Sequence, residues 1–213
     1  MDDTRSEQYL KPYREALAEH GAGFKATLWG SREAQALRFD VMIELAGLED
    51  CVIVDVGCGQ GDFAARLIER GVGFRRYVGL DALPEMVEKG AARELARCEF
   101  RAVDAAAAPT SLAVPGADFA CLSGTLNTMD DEGARELVTA SFEQVAQGVV
   151  FNFLGDRFHP RWAGKDLTPA RRFDTVDWIG WAMGLTSRVR VAQDYLDGHD
   201  VTILALHDEG VER

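Results

Sequence analysis

Apolar positions change their spacing near residue 50, and the change divides the chain into two regions. Over residues 5–20 and 31–46 they recur three and four apart, as with Leu37, Val41, Met42 and Leu45, which predicts two amphipathic helices. The loop between them ends at Ser31, whose hydroxyl suits a helix N-cap. From Cys51 onward, short apolar runs alternate with helical stretches. Cys51-Val-Ile-Val-Asp-Val56 is apolar on both faces, as a central parallel strand should be. Further strands are expected at 77–80, 99–103, 117–122 and 149–154. Helices are expected at 63–70, 84–95 and 131–145, the second opened by Pro84 in its first turn.

The chain closes differently. An irregular stretch follows Leu154, then a helix near 174–184 and two β-rich segments, 188–195 and 201–207. The five residues Leu196–Asp200 are too short for a parallel crossover, so these segments must pair antiparallel. The expectation is an α/β fold: a doubly wound, Rossmann-like seven-stranded sheet, mostly parallel with a terminal antiparallel strand, helices on both faces and an N-terminal helical extension. Residues 1–48 would form the helical cap and 49–213 the α/β domain. A length of 213 residues suits one structural domain containing both.

Charge narrows the possible partners. Acids outnumber bases 35 to 23, a net charge of -12 that repels phosphate backbones and argues against general nucleic-acid binding. No apolar run approaches the roughly 18 residues of a membrane span. The polar, acidic start Met1-Asp-Asp-Thr-Arg-Ser-Glu-Gln8 is unlike a secretory signal, so a cytoplasmic protein is expected. Cys51, Cys58, Cys98 and Cys121 form no Cys-x-x-Cys pair and have no matching histidines. Reduced thiols are therefore expected, with neither a disulfide framework nor a metal site.

Candidate chemistry begins where the first strand meets its helix, in Val54-Asp-Val-Gly-Cys-Gly-Gln-Gly-Asp-Phe63. Gly57, Gly59 and Gly61 allow a sharp turn and close approach of a ligand, and the following helix offers free N–H groups. A dinucleotide fingerprint counted from Gly57 needs Gly or Ala where Asp62 stands, and no Gly-Lys-Ser/Thr follows for a phosphate loop. Acids around the turn suit a ligand bearing an amino group or positive charge. Asp81 and Asp104 follow the next two strands, at carboxyl ends that line the same crevice. Asp81 can accept two hydrogen bonds from a ribose diol, and Asp104 one from an adenine amine.

With these residues the chain resembles the class I S-adenosylmethionine-dependent methyltransferases. Asp55-Val-Gly-Cys-Gly-Gln-Gly61 is similar to their first motif, Gly79-Leu-Asp81 to the ribose-binding acid and Val103-Asp104-Ala105 to the adenine-contacting segment. The resemblance runs from about residue 50 to 207 and makes 49–213 the methyltransferase domain. His20-Gly21, Trp29-Gly30-Ser31, Gln35 and Arg38-Phe39 resemble a subset of small bacterial members. The resemblance implies S-adenosyl-L-methionine as cofactor, with Gly57, Cys58, Gly59 and Gly61 cradling its methionine part and Asp55 near its amino group. It implies Asp81 at the ribose, Met86, Asp104 and Ala105 around the adenine, Ser123 and Gly124 beneath the sulfonium, and Ala82 as a further cofactor-binding residue. Arg38 is a candidate for the cofactor carboxylate, which a guanidinium matches bidentately.

The acceptor is expected to be a small molecule, with Trp29, Asn127 and His159 as candidate contacts. No catalytic residue is singled out, because the cofactor carries its own leaving group and the protein chiefly aligns the reactants. His159, His199, Tyr195 and Asp156 are available should a base be needed. Segment 156–190 holds seven basic residues against four acids and three tryptophans, Trp162, Trp178 and Trp181, which suggests a lid favouring an anionic or aromatic acceptor. An NAD(P)-dependent reductase and a non-catalytic adenosyl-binding module remain as alternatives.

Overall fold

The runs that are apolar on both faces form the middle of one sheet. The computed structural model describes residues 3–208, with side chains from Glu7 onward; Met1, Asp2 and residues 209–213 lie outside the described part. Its strands are β1 (Val52–Val56), β2 (Arg76–Asp81), β3 (Cys98–Ala102), β4 (Phe119–Leu122), β5 (Gly148–Leu154), β6 (Arg188–Ala192) and β7 (Asp200–Leu206). They lie in the order β3-β2-β1-β4-β5-β7-β6. The first five are mutually parallel, and β7 runs antiparallel between β5 and β6. Every residue of β1, β4 and β5 is buried, whereas the edge strands β3 and β6 are only partly covered.

Alternation along the strands feeds two apolar layers. One face packs Val54, Val78, Leu122, Phe151 and Phe153 against α5 (Asp131–Glu143) and α6 (Thr175–Leu185), and Tyr9 and Leu10 of α1 (Asp3–His20) join it. The other packs Ile53, Tyr77, Cys121 and Val150 against α2 (Arg32–Ala46) and α3 (Asp62–Glu69). Ser31 caps α2 by accepting from the Ala34 N–H at 3.1 Å.

Two details depart from the periodicity. α2 is rotated so that Phe39, Met42 and Ile43 face the core while Leu37 is 39% exposed. Gln35 and Arg38 occupy inward positions on this helix because polar partners await them there. The helix α4 (Pro84–Ala91) stops four residues before the expected Leu95. Beyond it, Arg93 turns back to bond the Gln60 carbonyl and Asp62, and Glu94 takes a left-handed conformation.

Candidate active site

The first strand delivers the chain into a turn that only glycine can make. Gly57, Gly59 and Gly61 have φ of +78°, +54° and +77°. The N–H groups of Gly57 and Cys58 both donate to the Leu80 carbonyl, at 2.8 and 3.0 Å, tying the turn to β2. A Cβ on Gly57 would lie 2.5 Å from Thr125 Oγ1, whose hydroxyl donates to the Val56 carbonyl at 2.8 Å. A Cβ on Gly59 would meet nothing nearer than Met86 Cε at 3.6 Å, so this part of the turn borders open space.

That space is a crevice of about 890 Å³, its open mouth included, at the carboxyl ends of β1, β2 and β4. Asp55, Gly57, Cys58 and Gly59 line its floor. Asp81, Ala82, Met86, Val103 and Ala105 surround one end, and Trp29, Gln35, Ser123, Gly124 and Thr125 the other. Tyr9, Leu10 and Tyr13 of α1 roof it. The position of the crevice follows from topology: β1 connects outward to β2 on one side and neighbours β4 on the other, so the loops diverge above it.

Its acids are held in defined states. Asp81 accepts from the Gly59 N–H at 2.7 Å and the Leu83 N–H at 2.9 Å. Burial raises its pKa and these two bonds oppose the rise. A carboxylate has more acceptor sites than these two bonds use, and Asp81 lines the crevice. Asp55 accepts from the Tyr77 hydroxyl. Burial pushes its pKa up to about 7, against that bond and with a contribution from the Asp81 charge. At the opposite end Gly124 donates to Asn152 Oδ1 at 2.9 Å and its carbonyl accepts from the Tyr13 hydroxyl at 3.2 Å. Asn152 also donates to Ser123 Oγ at 2.9 Å, so one buried amide of β5 sets this whole end.

Of the residues singled out from sequence, Trp29, Asp55, Gly57, Cys58, Gly59, Asp81, Ala82, Met86, Ala105, Ser123 and Gly124 come together here. Five do not. Arg38 is buried and clamps Asp200 through two bonds of 2.5 Å, so its guanidinium is already matched to a carboxylate of the chain itself. Asp104 takes the Tyr9 hydroxyl at 2.8 Å and the N–H groups of Ala106 and Ala107, closing its own turn instead of facing the crevice. Gly61 starts α3 against Phe100, where a Cβ would sit 2.6 Å from the ring. Asn127 is consumed by the Leu154 N–H at 3.0 Å. His159 is exposed and caps the short turn Pro160–Trp162.

The spare bases and the basic segment also lie elsewhere. His199 stacks on Trp162 at 3.9 Å and its Nδ1 meets the Arg172 guanidinium at 2.8 Å. Tyr195 bonds Thr202, and Asp156 accepts from the Thr175 N–H. Trp178 is fully buried among Phe151, Phe153 and Phe173, in the core and not in a lid. Asp62 lines the crevice, but Arg93 and Gln60 hold its carboxylate, at 2.8 and 3.1 Å. Among the contributors that the candidate set omits are Tyr9, Tyr13, Gln35 and Thr125. The i, i+4 spacing of the two tyrosines is the one signal that could have found them.

The glycine cradle, the acid at the end of β2 and the small residues around Met86 fit an adenosyl ligand bearing an amino acid. Comparison with known proteins agrees. Residues 53–148 match the family described as "Methyltransferase domain". No curated protein matches the chain. Among solved structures it is similar to magnesium protoporphyrin IX methyltransferase from Synechocystis PCC 6803 with bound SAH: 16% identity over 97% of this chain and 100% of that one, TM-score 0.66. A SAM-dependent methyltransferase from Archaeoglobus fulgidus gives 17% identity over 84% of this chain and 95% of that one, TM-score 0.65. A complex of DhpI with SAM and HEP gives 16% over 98% and 100%, TM-score 0.68. No described helix is long and apolar enough to cross a membrane. Residues 53–148 thus match a methyltransferase domain, and the chain shares the fold of solved S-adenosylmethionine-dependent methyltransferases.

Proposed function

We propose that the crevice holds S-adenosylmethionine with its ribose on Asp81, its adenine among Ala82, Met86 and Ala105, and its methionine part along Asp55, Gly57, Cys58 and Gly59. Ser123 and Gly124 then lie at the methyl-donor end, and the methyl group passes to a small molecule. The observation that carries this reading is the cover: Tyr9 and Tyr13 from α1, with Trp29, close over the crevice from the cap side. Such a cover favours a small acceptor over a macromolecular surface and brings Tyr9, Tyr13 and Trp29 of the helical cap into the site. The four free cysteines support placing the reaction in the reducing cytoplasm.

The bound cofactor would supply a methyl group already activated on a sulfonium. What the chain adds is alignment and shielding from water. Among the described residues lining the crevice, the titratable side chains are Tyr9, Tyr13, Asp55, Cys58, Asp62 and Asp81. None is a histidine, lysine or arginine. Burial raises the Tyr13 pKa to about 12, so its hydroxyl donates hydrogen bonds instead of taking a proton. With Asp55 and Asp81 assigned to the cofactor and Asp62 held by Arg93 and Gln60, this lining supports an acceptor atom that arrives nucleophilic, such as a thiolate, a neutral amine or an acidic phenol. Calorimetry with S-adenosylhomocysteine and with NADH, followed by transfer of labelled methyl to a panel of small thiols, amines and phenols, tests the reading. Micromolar binding of S-adenosylhomocysteine and none of NADH is expected. Saturable NADH binding with no response to S-adenosylhomocysteine would overturn it.

A further inference from the structure

Arg38 and Asp200 are 162 positions apart, yet they form a buried, two-pronged ion pair, with exposures of 5% and 1%. Nε donates to Oδ1 and Nη2 to Oδ2, both at 2.5 Å, so the clamp fixes the plane of the guanidinium as well as its position. A buried pair of this kind adds little net stability, because desolvating both charges offsets most of their attraction. Its geometry suits another task. The guanidinium carbon lies 4.8 Å from the centroid of the Trp29 ring, a cation–π stack. The far edge of that ring abuts Gly124: a Cβ there would collide with Cζ2 and lie 2.9 Å from Cη2.

The loop that carries the tryptophan is anchored at Ala26, which packs on Leu83 and Met86, while the indole itself meets Arg38 and Gly124. Its loop carries a local bond from the Thr27 hydroxyl to the Phe24 carbonyl, and Leu28 beside it is left-handed, with φ of +59°. Gly124, by contrast, is pinned by Asn152 and Tyr13. Trp29 thus stands between the Arg38 guanidinium and a Gly124 backbone pinned from two sides.

We propose that the Arg38–Asp200 pair is a positioning element that sets Trp29 as a wall of the methyl-donor end, and that Asp200 also neutralises the guanidinium there so that its charge does not oppose a sulfonium. This inference rests on the cofactor placement given above. It assigns to Arg38 a role toward the sulfonium end through Trp29, with no direct contact to the cofactor carboxylate.

The experiment measures S-adenosylmethionine and S-adenosylhomocysteine affinities by calorimetry for the full chain and its variants, with melting temperature alongside. Asp200→Asn keeps the shape and removes the neutralising charge. It should weaken S-adenosylmethionine roughly threefold to tenfold more than S-adenosylhomocysteine, which lacks the sulfonium charge. A purely structural role would weaken the two equally, and equal losses overturn the charge argument. The double replacement Arg38→Met/Asp200→Leu preserves bulk without charge, and folds even where a lone unpaired charge would not. It should weaken both ligands by the same factor as Trp29→Ala, and adding Trp29→Ala to it should cost nothing further. Unchanged affinities in the double variant, or losses that add, overturn the positioning role. Wild-type protein that binds neither ligand would instead reject the cofactor placement itself.

Discussion

Replacing Asp81 with alanine perturbs the protein and its ligand in separable ways. The carboxylate accepts the N–H groups of Gly59 and Leu83 at 2.7 and 2.9 Å, so its removal strands two backbone donors at the base of the turn. Leaving such donors without a partner costs about 1–3 kcal/mol each, toward the low end where crevice water can reach them. A total of about 2–4 kcal/mol at about 2–4 °C per kcal/mol for a chain of this size lowers the melting temperature by roughly 4–16 °C. Binding suffers independently. Two charge-assisted bonds to a ribose diol, at about 1.5–3 kcal/mol each and not additive, correspond to a loss of about 10- to 100-fold or more. Asp81→Asn retains one acceptor oxygen and should recover about half of each effect. Thermal melts and calorimetry with S-adenosylhomocysteine read the two quantities. A folded Asp81→Ala protein that binds S-adenosylhomocysteine within threefold of wild type would refute the ribose assignment, whatever its melting temperature.

Three other outcomes are expected. Asp55 has its pKa raised from 3.8 to about 7 by burial, so the folded protein holds that proton more tightly than the unfolded chain, and stability falls as pH rises from about 4 to 7. A cofactor ammonium beside it favours the ionised form, so affinity should increase from pH 5.5 to 7.5 with proton release, and Asp55→Asn should abolish the trend in calorimetry. His199 has its pKa lowered from 6.5 to about 4, first by burial and then by the Arg172 charge, so the folded state keeps it neutral. Its contribution to stability is present above pH 6.5 and is lost as pH falls toward 4; a ring that titrates near 6.5 by NMR contradicts this. Gly57→Ala forces a side chain into φ of +78° and against Thr125, and should lower the melting temperature by roughly 4–8 °C; an unchanged melt would show that the turn can adopt another path.

Much of this was legible because it depends on local pattern. Residues 51–56, apolar on both faces, could only be a central strand, and the acid after each strand had to lie at the crevice end of the sheet. Asp81 follows from that rule. Asp104 obeys the same rule but is not among the residues that line the crevice, because α1 brings the Tyr9 hydroxyl to it from 95 positions away. Arg38 is drawn away from the crevice for a similar reason: nothing in 31–46 shows that a carboxylate waits at position 200. Gln35 and Leu37 exchanged inward and outward places on α2 because burial there is decided by polar partners, which a hydropathy pattern does not encode. Local chemistry was readable from sequence, and the pairings that complete it across the fold were not.

The place of β7 has a consequence for how the chain is made. During synthesis from the N-terminus, β1 to β5 emerge first and can assemble into a parallel sheet. One edge of that nascent sheet is β5, seven buried residues that include Val149, Val150, Phe151 and Phe153. Its partner, Asp200–Leu206, pairs with it along its whole length but leaves the ribosome about 50 residues later. In that interval an apolar, unpaired edge stands open to other chains, the condition under which strands pair wrongly. β6, emerging before β7, cannot shield it, since in the finished sheet it touches only β7. Arg38 waits over the same interval for the carboxylate that neutralises it. Completion of the interior charge balance and closure of the vulnerable edge are therefore one event, the insertion of a single strand.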